Sequence, residues 1–177
     1  MSGKRKVVLF IATSLDGFIA TKDETLEWLF DVEGEGDNGY SAFYDKIDTI
    51  LMGKKTYDWI MNDDQIIEYP YKDKKSFVFS KSVRKNTDDV QFIKEDIPQF
   101  ISELKKRDGK TIWLVGGGQL FSYFLENKLV DELYLTVAPK IIGRGIPLFN
   151  SGSYHADLKL IGTQTFNQFV ELHYKVL

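Results

Sequence analysis

Three consecutive glycines stand where an apolar, strand-like run gives way to a helical pattern. The run covers residues 111–115, and after it come Gly116, Gly117, Gly118, Gln119 and Leu120. Glycines leave the backbone bare, so a bulky anion can approach the N–H groups directly. The first turn of the next helix adds unpaired donors and the positive end of the helix dipole. The combination predicts a phosphate or pyrophosphate site.

The triplet by itself leaves an alternative open. Phe121 occupies the position where the dinucleotide fingerprint G-x-G-x-x-G requires its last glycine. The glycines therefore also fit a tight turn in which they only permit close packing.

A second strand-to-helix turn carries the residues Gly53, Lys54, Lys55 and Thr56. Here the glycine opens the backbone, the lysines add positive charge, and the threonine places a hydroxyl at the helix start. The alternative is that both lysines are solvated surface charges. Two such turns at the carboxyl ends of strands in one sheet fit a dinucleotide that bears an extra phosphate.

A third cationic cluster spans residues 80–85, after another strand-like run. The hydroxyl of Ser80 and the ammonium of Lys81 could bind an adenosine 2′-phosphate. A plain charged loop explains the same residues equally well.

Groups for proton transfer are few. Asp31 follows Trp28 and two further apolar residues, a setting in which a carboxyl keeps its proton more readily. We therefore take Asp31 as the candidate proton donor or substrate anchor, and we interpret His155 and His173 as structural. The sequence shows no serine–histidine–aspartate order and no metal-ligand spacing, so no metal is predicted. Hydride transfer needs no side-chain nucleophile, because the cofactor carries the chemistry.

Composition narrows the class of protein. The chain has 177 residues, which predicts a single domain over residues 1–177. A net charge of −3 gives no basic excess for nucleic acid, and 0 cysteines exclude disulfides and thiolate metal sites. No apolar run approaches the ~20 residues of a membrane span. The basic segment 1–6 precedes an apolar run too short for a signal peptide, so we expect a cytoplasmic protein.

Buried strands alternate with helical segments along most of the chain. Strands are predicted at 7–12, 48–53, 76–80, 90–93, 111–115 and 132–137, and helices at 41–47, 54–61, 97–106 and 119–126. Residues 14–26 and the acidic stretch 33–39 are expected to be loops. The alternating runs 158–166 and 169–176 flank Asn167 and Gln168, which predicts a β-hairpin. We therefore predict an α/β fold whose sheet has an antiparallel edge.

Four segments together resemble the dihydrofolate reductase-like proteins, with the closest likeness to the C-terminal reductase domain of bifunctional riboflavin biosynthesis enzymes. They are residues 11–20, 52–57, 115–121 and 139–149. They resemble, in that order, the opening strand with its active-site loop, the cofactor turn, the pyrophosphate turn and a Gly-x-Gly-x-Pro-Leu-Phe segment. The resemblance implies a three-layer α/β/α fold with a mostly parallel central sheet.

The resemblance also implies how the protein works. NADPH would lie at the carboxyl ends of the strands, with Ala12 and Ile19 flanking the nicotinamide. The phosphates would be bound by the two glycine turns, and the 2′-phosphate would lie near Ser80 and Lys81. The implied reaction is hydride transfer to a pterin-like or aminopyrimidine ring, as in dihydrofolate reductase or 5-amino-6-(5-phosphoribosylamino)uracil reductase. The implied partners are this small heterocycle and a second copy of the chain, in a homodimer.

Two departures from the family pattern affect the substrate. In folate reductases the acid that binds the pterin ring follows a Trp-x-x-Pro-type segment, whereas the segment before Asp31 has neither the proline nor that spacing. The arginine expected to bind the folate glutamate tail aligns near Lys74, and lysine is a poorer partner for a carboxylate. A non-catalytic NADP(H)-binding protein that retains the cofactor site is therefore the alternative function. A third possibility is that the glycine turns are purely structural and bind no nucleotide.

Overall fold

The fold is described from a computed structural model for residues 4–64 and 66–177. Residues 1–3 of the predicted basic N-terminal segment lie outside the described residues. The strands are β1 Val7–Ser14, β2 Phe18–Ala20, β3 Ile47–Gly53, β4 Lys75–Phe79, β5 Val90–Ile93, β6 Thr111–Gly116, β7 Glu132–Ala138, β8 Ile146–Pro147, β9 Leu158–Phe166 and β10 Phe169–Val176. The helices are α1 Glu27–Phe30, α2 Tyr40–Tyr44, α3 Lys54–Met61, α4 Ile97–Leu104 and α5 Gly118–Glu126.

The central sheet has eight strands in the order β5-β4-β3-β6-β1-β7-β10-β9. The strands from β5 to β7 run parallel to their neighbours, and β10 pairs antiparallel with both β7 and β9. The predicted α/β fold with a mostly parallel sheet and an antiparallel hairpin edge is confirmed. No helix in the described ranges is long and apolar enough to cross a membrane.

Each face of the sheet is covered by its own apolar cluster. On one face, Leu9 and Leu114 pack with residues of α4 and α5, among them Ile101 and Phe121. On the other face, residues of α2 and α3 pack against Val8, Ile50, Met52 and Trp113. Strands buried on both faces must be apolar without alternation, which explains the continuous apolar runs in the sequence.

Three short elements were not predicted, and two predicted helices are too long, since the one predicted at 97–106 ends at Leu104. The segment 14–26 contains β2, which pairs with the equally short β8 in a separate two-stranded sheet. Helix α1 also falls outside the predicted elements. The helix predicted at 41–47 is Tyr40–Tyr44, because Ile47 already belongs to β3. The pairing of β2 with β8 joins segments more than a hundred residues apart, and no local pattern reports it.

Candidate functional site

The two glycine turns lie side by side in the structure. β3 and β6 are parallel neighbours, with Met52 opposite Gly116, so both strands end at the same edge of the sheet. The hydroxyl of Thr56 in the first turn donates a hydrogen bond to the carbonyl oxygen of Gly116 at 3.4 Å. Two motifs that are 60 residues apart in the chain are therefore in direct contact.

Backbone geometry explains why glycines occupy the turn after β6, residues 116–118, called the β6 turn. The turn after β3, residues 53–56, is called the β3 turn. Gly117 has φ +93°, and a β-carbon there would lie 3.0 Å from the hydroxyl oxygen of Thr56. A β-carbon on Gly118 would lie 2.4 Å from the carbonyl oxygen of Pro147. Close packing against β8 thus accounts for Gly118, whereas the left-handed backbone and the contact with the β3 turn account for Gly117.

The helices that follow these turns begin without side-chain caps. α3 begins after Gly53 and α5 begins after Gly117, and neither helix start receives a side-chain hydrogen bond at its N-cap position. Uncapped first turns leave backbone N–H donors for a ligand anion. Gln119 and Leu120 lie in the first turn of α5.

The two lysines of the β3 turn are paired with carboxylates. Lys54 forms an ion pair with Asp58, and the ammonium of Lys55 lies 2.5 Å from Glu24 Oε1. The Lys55 side chain is 80% exposed, so its pairing contributes little to stability. A phosphate could replace Glu24 as the partner of Lys55 at small cost, which leaves Lys55 suited to the role predicted for it, whereas Lys54 is half-buried against Asp58.

Ser80 and Lys81 follow β4, the strand next to β3. Ser80 is buried, and its hydroxyl lies 3.2 Å from that of Ser82, whereas Lys81 is exposed. The three cationic or glycine-rich clusters predicted from sequence thus follow three adjacent strands at one edge. Their role in binding a cofactor remains a prediction.

The loop after β1 is fixed to the segment before β8. Asp16 accepts hydrogen bonds from the backbone N–H groups of Ile142 and Gly143 at 3.2 and 2.7 Å. The hydrogen bond from the Ser14 hydroxyl, with these backbone donors, lowers the pKa of Asp16. Asp16 therefore joins the first and the last of the four family-like segments, a role beyond that of a simple turn residue.

A cavity of about 380 Å³ lies over β1 and β7, on the face of the sheet that α2 and α3 cover. Its walls are mostly apolar and come from the sheet, from α1 and from the acidic segment 33–39. The lining residues are Phe10, Ala12, Leu29, Phe30, Val32, Gly34, Gly36, Asp37, Asn38, Thr136 and Phe169. Ala12 is one of the residues predicted to flank a nicotinamide. Ile19, the other, lies on β2 and packs against the apolar cluster of α4 and α5.

A second cavity of about 410 Å³ lies beside α3 and is lined by Glu24, Lys55, Asp58, Trp59, Asn62 and Asp63. It borders the first turn of α3 rather than the central sheet. We take the cavity over β1 and β7, called the sheet cavity below, as the candidate substrate site because Ala12 lines it.

Asp31 does not lie in the environment predicted for it. It is exposed and does not line the sheet cavity, although Phe30 and Val32 do. The predicted apolar setting of its carboxyl is therefore wrong, because the helix α1 ends at Phe30 and turns the next residue to solvent. The role proposed for Asp31 stays a prediction.

Glu171 is a buried carboxyl that sequence reasoning missed. It lies on β10 directly opposite Thr136 of β7, and on the same face as Phe169, and both of these residues line the cavity. Its side chain forms no ion pair within the described ranges. Burial raises the pKa of Glu171, against smaller opposing effects of His173, Lys46 and Thr136. A carboxyl of this kind can hold or donate a proton.

Glu132 lies on the same face of the sheet and serves as a contrast. It accepts a hydrogen bond from Lys6 at 2.5 Å and lies 2.9 Å from His173 Nε2. Burial raises the pKa of Glu132, but these two partners outweigh burial and leave the pKa below its ordinary value. His173 also stacks on Tyr134 with 3.7 Å between ring centres, in keeping with its structural interpretation, and His155 is exposed.

Lys74, the residue in place of the expected arginine, is engaged elsewhere. Its ammonium lies 3.1 Å from Asp73 and 4.3 Å from the centre of the Tyr44 ring. These contacts fix the side chain against α2.

Comparisons with known proteins agree with this architecture. Residues 5–172 match the RibD C-terminal domain family. The uncharacterized protein YwjB of Bacillus subtilis strain 168 is 43% identical over 172 residues, which cover 97% of this chain and 98% of YwjB.

Two solved structures extend the comparison. A protein of Shewanella sp. PV-4, provisionally assigned to riboflavin biosynthesis, superposes with a TM-score of 0.87 at 28% identity, covering 97% of this chain and 99% of its own. Dihydrofolate reductase of Enterococcus faecalis, solved with NADP(H), gives a TM-score of 0.66 at 13% identity over 98% of this chain and 97% of its own. The second likeness shows the shared fold.

Proposed function

The chain belongs to the RibD C-terminal domain family, and on that premise we propose that it is an NADPH-dependent reductase of a pterin-like or aminopyrimidine ring. The observation that carries the proposal is the contact between the β3 and β6 turns, with the hydroxyl of Thr56 bonded to Gly116. Two uncapped helix starts at one sheet edge are suited to bind two phosphate groups of one ligand.

The residues at this edge fit such a cofactor. Gly53, Thr56 and the first turn of α3 would hold one phosphate, and the Gly117 turn with Gln119 and Leu120 would hold the pyrophosphate. Lys54, Lys55, Ser80 and Lys81 would supply charge and hydroxyl groups, with the 2′-phosphate nearest to Ser80 and Lys81. NADPH, when bound, supplies the hydride.

The chain itself must orient the ring and hold a proton. The apolar walls of the sheet cavity exclude water from a flat ring placed beside Ala12. Glu171 is the better placed of the two candidate acids, because its neighbour Thr136 lines the cavity whereas Asp31 is exposed. We propose that Glu171 holds the proton, acting on the ring through the hydroxyl of Thr136.

A titration with NADPH and NADH tests the cofactor assignment. Trp113 lies on β6 just before the glycine turn, so its fluorescence should respond to a bound nucleotide. We expect saturable binding of NADPH that is at least about 10-fold tighter than that of NADH. If neither nucleotide binds, the glycine turns are structural and the reductase proposal is wrong.

The alternative is a non-catalytic NADP(H)-binding protein. The exposure of Asp31 favours it, because the acid predicted from sequence is missing from the cavity. Tight NADPH binding without oxidation in the presence of pterins and aminopyrimidines would establish this alternative.

Three further sequence predictions become part of this proposal. We propose a single domain, because one sheet contains strands from Val7 to Val176. We also propose a homodimer, since Leu160, Ile161 and Val170 are exposed on the β9–β10 hairpin and a second copy could cover them. Light scattering of the purified chain tests the dimer. The cytoplasmic location stays a prediction from sequence.

A further inference from the structure

The sheet cavity carries negative charge and lacks a positive counterpart. None of the described residues that line it is a lysine, arginine or histidine, and Asp37 contributes a carboxylate. Asp37 accepts hydrogen bonds from Gly39 N and Ser41 N at 3.1 and 2.8 Å. Hydrogen bonding by Ser41, through both its side chain and its backbone, lowers the pKa of Asp37, so the carboxylate is ionised at neutral pH.

The segment that forms the cavity mouth is acidic along its whole length. Residues 31–39 contain four carboxylates and no basic residue, namely Asp31, Glu33, Glu35 and Asp37. Gly34, Gly36 and Asn38 of the same segment line the cavity, so the neighbouring charges lie close to its opening. Glu171, the buried carboxyl next to Thr136 that we propose holds a proton, supplies no positive charge either. His173 and Lys46 have an electrostatic effect on Glu171, but neither residue lines the cavity.

An anionic group on a ligand would therefore meet like charge without a counter-ion. Like-charge contact beside the cavity disfavours binding and sets specificity. The edge of the sheet that carries the two glycine turns, called the cofactor edge, has in contrast Lys54, Lys55 and Lys81. The first two are paired with Asp58 and Glu24, which an anionic ligand would have to displace. The two parts of the site thus differ in the charge that they accept.

We propose that the sheet cavity selects a planar ring without an anionic substituent and discriminates against phosphorylated or carboxylated forms of the same ring. The inference rests on the proposed function and narrows its substrate class. It separates this protein's substrate from 5-amino-6-(5-phosphoribosylamino)uracil, whose phosphate has no partner among the residues that line the cavity.

Two matched pairs of ligands test the selection. The first pair is 6-methylpterin and pterin-6-carboxylate, and the second is 5-amino-6-(5-phosphoribosylamino)uracil before and after removal of its phosphate. Binding to the NADPH-saturated protein is measured by calorimetry. We expect the uncharged member of at least one pair to bind, and to bind about 10-fold or more tightly than its anionic partner.

Variants of the acidic segment show whether its charge causes the preference. The double variant Glu33→Gln/Glu35→Gln should reduce the preference for the uncharged over the anionic member of a pair by about 3-fold. The effect is modest because both side chains are exposed beside the cavity. The control Glu103→Gln/Glu126→Gln makes the same change in net charge on α4 and α5, which pack on the opposite face. It should leave the ratio unchanged. Asp37 is kept, because its carboxylate bonds the backbone at the start of α2.

Several outcomes would overturn the inference. Equal or tighter binding of the anionic members is one of them, and loss of that binding in Arg144→Gln would identify the exposed Arg144 as the missing counter-ion. Failure of all four compounds to bind also rejects the selection. If NADPH does not bind, the proposed function is wrong. Binding of the same ligand pairs to the cofactor-free protein then still tests whether the cavity discriminates against anionic rings.

Discussion

The cofactor edge and the sheet cavity are built in different ways. At the cofactor edge, glycines and helix starts present backbone donors, and each turn is a contiguous segment such as Gly53–Thr56. The sheet cavity is lined by side chains from β1, β7, β10 and the segment 29–38, which come together only in the fold. The first region has lysines around it, whereas the second has none among its described lining residues and is acidic. The difference indicates that the two regions depend on different parts of the sequence: the first on short contiguous segments, the second on residues that are far apart in the chain.

The largest effect is expected from Glu171→Gln, which removes the proposed acid but keeps the side-chain volume. We expect kcat/KM to fall by about 100-fold, the usual contribution of a general acid, with NADPH affinity unchanged. Asp31→Asn should change kcat/KM far less. Steady-state kinetics across pH, with an active substrate from the ligand pairs, makes the measurement. Equal losses for the two variants would remove the distinction between the acids.

The melting temperature of Glu171→Gln is a second measurement, and it is expected to rise while kcat/KM falls. A carboxyl whose folded pKa is raised stabilises the fold below its ordinary pKa of 4.5, and this contribution is lost as pH rises through the folded value. The neutral glutamine should therefore raise the melting temperature at pH 7 while activity falls. A variant that loses both activity and stability would indicate a structural role.

Glu132→Gln is the matched control on the same sheet face. Its carboxyl has a lowered folded pKa, so its stabilising contribution is present above pH 4.5 and is lost as pH falls through the folded value. The variant should melt at a lower temperature at pH 7, with kcat/KM little changed. Thermal denaturation monitored by circular dichroism compares both variants.

A smaller effect is expected at the cofactor edge from Gly117→Ala. The alanine must adopt φ +93° and place its β-carbon 3.0 Å from the Thr56 hydroxyl. We expect the turn to move away from Thr56 and so relieve this strain. If the displaced backbone N–H groups lose about 2 kcal/mol of binding free energy, NADPH binds about 30-fold more weakly. Gly36→Ala, at another left-handed glycine with open space around it, lines the sheet cavity and should leave NADPH binding intact. Equal NADPH affinities for the two variants would contradict the division into two regions.

Lys81→Gln should have a moderate and selective effect. If its ammonium binds the 2′-phosphate, NADPH affinity falls by about 5- to 10-fold, whereas NADH affinity stays the same. Lys85→Gln, in the same exposed loop, serves as the control. Fluorescence titration with both nucleotides measures the preference, and a parallel loss for NADPH and NADH would assign the 2′-phosphate to another residue.

Salt should produce the smallest effect and separate the regions by charge. Raising the ionic strength from about 0.05 to about 0.5 M should weaken NADPH binding by about 3-fold, because exposed lysines are screened. Binding of uncharged 6-methylpterin should hardly change. Calorimetry at both salt concentrations makes the comparison, and a salt-independent NADPH affinity would argue against a role for Lys54 and Lys55.

The sequence by itself determined the order of the longer strands and helices and the position of both glycine turns, but not the short elements β2, α1 and β8. These features are local: an apolar run, a glycine and a helix start follow one another within about ten residues. Helix α3 and strands β5, β9 and β10 agree with the predicted boundaries. The family resemblance added the sheet direction, which places both turns at one edge.

Only the tertiary structure decided which acid lies next to the sheet cavity: Glu171 does not line it but stands opposite Thr136, which does. The alternation along β10 would place Val170 inside and Glu171 outside, yet Val170 is 41% exposed and Glu171 is 8% exposed. The reason is that Glu171 shares its face of β10 with Phe169, and the sheet cavity and residues of the acidic segment lie over that face. Asp31 is adjacent to apolar residues in the chain but leaves them at the end of α1. Burial depends on which distant segment covers a face, and no local pattern in the sequence contains that information.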